Sequence, residues 1–298
     1  MLPRFSIRPC ILISTAVALM GCGLAMGQTW IGPGTDWNTA ANWFPAVVPN
    51  SPTANASFTG TALGTVNISA SVQAQSLSFT NPTGNYTLTS SASQTLSGLT
   101  SIVVGSGVTS GVRTINLANV ATGSLLYGAT FTVNNQSTAL GTTLVIGTNT
   151  VIGAPAHGGL TFTGVGVTQL SGSFASTNTV TGGLTKSGPG TLIFSGSGAN
   201  LSGGLTVTGG TLELDYSGNP PTSKLGLGGL TLGGGLLSLV ANTTTPFTQT
   251  VAGMTVNAGH TDVVARSAGG GTLTLAAGAI SRSTGGTGRL RGATWPLP

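Results

Sequence analysis

The chain has 298 residues, of which 49 are Gly, nine are Lys or Arg, four are Asp or Glu and two are His. So few ionisable groups leave little material for acid–base chemistry, whereas a hydrophobic fraction of 39% is enough for a packed core. The formal charge of +5 does not mark a nucleic-acid binder, because between Gln28 and Ser281 Arg113, Lys186, Lys224 and Arg266 balance Asp36, Glu213, Asp215 and Asp262, leaving no cluster to displace counterions.

Residues 1–27 read as a secretory signal peptide: basic MLPRFSIRP, apolar CILISTAVALM, then small residues around Ala25-Met26-Gly27 before Gln28. Eleven apolar residues are too few to span a bilayer, so an uncleaved anchor is the lesser reading. A second alternative is a lipid anchor at Cys22, which follows Leu19-Met20-Gly21 at the end of the apolar run. Both cysteines, Cys10 and Cys22, fall in this leader, so the expected mature chain has no disulfide and no thiolate metal site.

Residues 28–54 form a Trp/Pro-rich segment containing Trp30, Trp37 and Trp43. An indole offers a large apolar face with a single donor, which suits either a cap on a hydrophobic column or a platform for sugar rings. The cap is the expected role.

From 55 to 281 the text becomes short alternating strands punctuated by Gly or Asn. The first half gives Val66 to Ser69, Gln75 to Thr80, Tyr86 to Thr89, Ser101 to Val104, Arg113 to Leu117 and Thr130 to Val133. The second half repeats apolar-Thr-apolar triplets between glycines, and Leu192, Leu212, Leu232, Met254 and Leu273 recur at near-regular spacing. Such short units cannot bury their own faces and must stack, which predicts an all-β solenoid with Leu192, Val207, Leu212, Leu232 and Leu273 pointing inward.

One stretch is more specific. Leu184, Lys186, Gly188, Gly190, Thr191 and Leu192, followed by Gly203, Gly204, Val207, Gly210, Thr211 and Leu212, resemble the autotransporter-associated β-strand repeat. The family's Asn-Thr-Tyr-x-Gly-Gly turn is here Asn200-Leu201-Ser202-Gly203-Gly204, without the aromatic. The opening TDWNTAANWFPAVVPN is similar to the segment that begins many such secreted proteins. The resemblance implies a right-handed parallel β-helix of passenger type at the cell surface, with a structural rather than a catalytic motif.

Candidate chemistry is sparse. Glu213 and Asp215 lie two apart on one strand face, the minimum for glycosidase-type acid–base work, although Asp262 is a turn or more away. His157 and His260 sit in Gly-containing turns, and only Asp262 stands near His260 at ligand spacing. Ser195 lacks a nucleophile elbow, and Gly233-Gly234-Gly235 lacks the Lys-Ser/Thr of a phosphate loop. The expectation is a non-enzymatic exported protein, without cofactor, metal or catalytic residue. Its ligand would be a surface or extracellular molecule, and membrane contact would come only through the leader or Cys22. A carbohydrate-binding or polysaccharide-degrading β-helix is the alternative. Residues 282–298, RLRGATWPLP at their end, are expected to leave the strand pattern and form an irregular tail, as in a truncated or frame-shifted member of a longer family.

Overall fold

The computed structural model describes residues 27–292 except 33, 61–63, 92–93, 119–124, 154–158, 175–181, 199–200, 219–220, 227 and 268–270. The expected leader with Cys10 and Cys22, His157, and the terminal prolines therefore lie outside the described residues.

Alternation and glycine together explain the architecture. A run such as Thr191–Phe194 buries every second side chain, and the Gly-rich text on either side turns the chain before a strand can lengthen. The result is a parallel β-solenoid of about nine turns. Among the described residues its strands stack into a fifteen-stranded long sheet and a ten-stranded second sheet. Among the described residues the only helical element is one 3-10 turn, Ala40–Asn42.

The core consists of side-chain columns, since in-register parallel pairing places like positions of successive turns above one another. In the second sheet Leu192 pairs with Leu212, Leu212 with Leu237 and Leu237 with Val263. In the long sheet Phe131, Leu160, Leu184, Leu205, Leu230, Met254 and Ile280 form one column. Leu192, Val207, Leu212 and Leu232 are buried as expected, and Leu273 is half-buried against the same core.

The regular series read from the sequence does not form a single column. Leu192 and Leu212 stack, but Leu232 stands on the long sheet between Val207 and Val256, and Leu273 pairs with Phe247. Each turn crosses both sheets with nearly identical apolar-Thr-apolar text, so equal spacing alone does not tell one sheet from the other.

Glycine is obligatory where turns meet closely. A Cβ on Gly196 would lie 1.8 Å from the carbonyl oxygen of Gly172, so neither side chain nor local adjustment fits there. Gly210 adds a positive φ of 65°, and its Cβ would crowd the carbonyls of Gly188 and Gly190 at 2.4 Å.

The Trp-rich segment closes the N-terminal end. Trp43–Phe44 folds back antiparallel on Gln28–Trp30, which in turn starts the parallel stack on Asn55–Phe58. Trp30, Trp37 and Trp43 are buried, with ring centroids 4.8 to 5.1 Å apart along the series and Phe58 beneath them. The Trp37 indole donates to the Pro49 carbonyl and that of Trp43 to the Trp37 carbonyl, so both polar edges are satisfied.

The C-terminal expectation needs correction. Gly286–Arg291 is a strand, paired in parallel with the Gly259–Ser267 strand from Gly259↔Gly286 to Val264↔Arg291. Backbone pairing needs only an extended chain, and Leu290 stands in register with the buried Val263 while itself remaining exposed on the last described strand. The alternating arginines face outward and do not interfere.

Candidate functional site

Three of the four cations between Gln28 and Ser281 are inside the solenoid: Arg113, Lys186 and Lys224 are buried. Lys186 occupies a core column between Phe162 and Val207. Its Nζ donates to the carbonyls of Ser187 and Gly188 at 2.8 Å and of Gly209 at 3.2 Å. Arg113 stacks between Tyr86 and Leu144 and donates to the carbonyls of Ser110, Gly111 and Asn81. Lys224 reaches the Ser195 carbonyl and the Thr222 hydroxyl, with its ammonium 5.5 Å from the Tyr216 ring centroid. Each cation thus closes a corner whose carbonyls point inward and have no strand partner, the task a buried polar group must perform to be tolerated. Burial pulls Lys186 and Lys224 down to about 8, the charge of Asp215 partly opposing this at Lys224.

The sequence reading balanced these cations against the acids, yet the two sets do not meet. The Glu213 carboxylate accepts from the Ser238 hydroxyl at 3.3 Å, and that of Asp215 accepts from the Ser217 amide at 2.8 Å. Asp262 is two turns along the second sheet, in the column of Thr211 and Leu236 rather than that of Glu213. It lies 3.4 Å from His260 Nε2, while His260 Nδ1 is 3.0 Å from the Thr287 hydroxyl, on an exposed strand edge. No group of three or more metal-ligating side chains converges among the described residues. Ser195 is engaged with the Ser171 hydroxyl at 2.9 Å, and Gly233-Gly234-Gly235 connects two strands. A small, half-open cleft of about 60 Å³ lies beside Trp30, Gly34, Thr35 and Thr65.

The outer faces of the two sheets differ in a way the sequence reading missed. Glu213, Asp215, His260, Asp262, Arg266, Arg289 and Arg291 all stand on strands of the second sheet. Among the described residues, the charged side chains on strands of the long sheet are Lys186, which is buried, and Arg282 on its last strand. Its central outward column reads Asn55, Ser76, Ser101, Thr132, Thr161, Thr185, Thr206, Thr231, Thr255 and Ser281, in register throughout. The signal was present as the Thr of every apolar-Thr-apolar triplet. It becomes a column only once the sheet assignment is known.

A family model described as the passenger-associated-transport-repeat matches residues 184–214. These residues provide the strands Leu184–Lys186, Thr191–Phe194, Leu205–Val207 and Thr211–Asp215, the paired strands of two successive turns of the stack. Lys186, Gly188, Gly190 and Gly210, which the motif contains, are the corner cation and the close-contact glycines described above. No match was found among curated proteins or among solved structures.

Proposed function

Residues 184–214 are a passenger-associated transport repeat within a parallel β-solenoid, and from that premise we propose that the protein is an exported, non-enzymatic surface stalk of passenger type. The observation that carries this reading is that the repeat's distinctive residues are spent on the fold: Lys186 binds corner carbonyls and the glycines admit the neighbouring turn. An adhesive role rests on the long, charge-free outer face, which is free to meet a partner while the second sheet carries the solubilising charges. The carbohydrate alternative draws less support, because all three N-terminal tryptophans are buried under their own cap and offer no ring face to a sugar.

Export to the surface is testable with one cysteine. Leu140 is fully exposed at 101%, and the chain's own cysteines lie in the leader. In intact cells producing the Leu140→Cys protein, a membrane-impermeant maleimide is expected to label the chain, with the parent as blank. Labelling only after lysis would contradict surface display.

A further inference from the structure

The outward Thr/Ser column is more than a consequence of β propensity. Strand spacing fixes its rungs at about 4.8 Å, and the next outward position along each strand lies about 6.5 to 7 Å away. That second column reads Ser57, Ser78, Val103, Asn134 and Thr163. It continues with Ser187 and Thr208, whose amides bond the Phe162 and Lys186 carbonyls of the preceding turn. The two columns make a rectangular array of small, uncharged groups, chiefly hydroxyls, on a rigid support.

Two further observations point to an external ligand. Neighbouring hydroxyls in a ladder can satisfy one another, as Thr255 and Ser281 do at 3.0 Å. Thr132, Thr161, Thr185, Thr206 and Thr231, by contrast, make no side-chain hydrogen bond among the described residues, although each is half-buried and held in place by its neighbours. Each therefore keeps a donor and an acceptor turned outward beside a methyl group. The array also lacks charged and aromatic residues in both columns, in contrast to the second sheet. An aromatic face is the usual platform for a single sugar ring, and neither column offers one. A neutral hydroxyl and methyl lattice matches a neutral lattice.

We propose that this face binds the surface of ice. Hexagonal ice presents water oxygens at repeats close to both spacings of the array, and its lattice extends over all rungs at once. Many weak hydrogen bonds then act together: the rungs from Thr132 to Thr255 each contribute one hydroxyl and one methyl, the flanking serines a hydroxyl alone, and the sheet holds their backbone in place beforehand.

The inference is independent of the stalk reading and is tested on the purified full-length chain by thermal hysteresis and ice-crystal shaping. The parent is expected to shape crystals and to open a gap between melting and freezing points. Thr185→Lys combined with Thr206→Lys should reduce that gap at least tenfold, and Thr231→Lys alone should reduce it severalfold. Thr211→Lys, outward on the second sheet, should leave it unchanged. Circular dichroism of each variant separates loss of binding from loss of fold, and the single substitution serves if the double one unfolds. A folded parent without hysteresis, or a folded double variant that keeps it, would overturn the proposal. Binding to insoluble cellulose or chitin that needs Thr185 and Thr206, with no effect on ice, would overturn it too and assign the face to a polysaccharide.

Discussion

Replacing Leu212 by Asp is expected to unfold the central turns. Leu212 is fully buried and stacked between Leu192 and Leu237, so the new carboxylate would enter an apolar column with no cation in it. Burying an unpaired charge, together with the lost packing, should cost about 4 kcal/mol or more. Glu213→Gln, one residue along and outward, should cost less than about 1 kcal/mol, since the amide oxygen of Gln can still accept from the buried Ser238 hydroxyl that Glu213 meets. Urea titration of the two variants measures both. Equal midpoints would contradict the inward assignment of Leu212.

Lys186→Ala should have the second largest effect, because it removes both a stem packed between Phe162 and Val207 and the donor to three carbonyls. The cavity and the orphaned acceptors together should cost about 3 kcal/mol. Lys186→Met keeps the stem and isolates the charge. In the parent the folded state holds this lysine at about 8, below its unfolded value of 10.5. Below pH 8 both states are protonated and the parent carries the full burden of burying the ammonium. Between pH 8 and about 10 the unfolded chain binds more protons than the folded one, so stability rises with pH through this group. The parent should therefore gain stability relative to Lys186→Met between pH 7 and pH 10. A difference that stays constant, or one that shifts toward the variant, would show that Lys186 is not desolvated.

The solenoid was legible because its two signals are local. Alternation in stretches such as Thr211–Asp215 and glycine between them follow from backbone geometry alone, and four of the strands foreseen between Val66 and Val133 agree with those observed to within two residues, while Ser101 to Val104 and Thr130 to Val133 are parts of the longer strands Leu96–Val104 and Leu125–Asn135. What was illegible depends on contacts across a whole turn. Leu232 and Leu212 look equivalent in the text but stand on different sheets, and only pairing reveals it. The burial of Lys186 and Arg113 was not legible because nothing local shows that corner carbonyls lack partners. The strand at Gly286–Arg291 was hidden by arginines that a paired edge accepts on its outer side. The outer Thr column was likewise invisible until the sheets were separated.

The central claim is that successive turns stack in register from the first half of the chain to the last, and a single distance tests it. Ser76 and Thr255 stand in the same outward column, separated by Ser101, Thr132, Thr161, Thr185, Thr206 and Thr231. The seven intervening strand spacings of about 4.8 Å place the two positions about 34 Å apart. Spin labels at Ser76→Cys and Thr255→Cys, in the full chain with Cys10 and Cys22 changed to Ser, should give a narrow dipolar distance distribution centred within a few ångströms of that value. A broad distribution, or a centre displaced by more than about two strand spacings, roughly 10 Å, would contradict the continuous in-register stack.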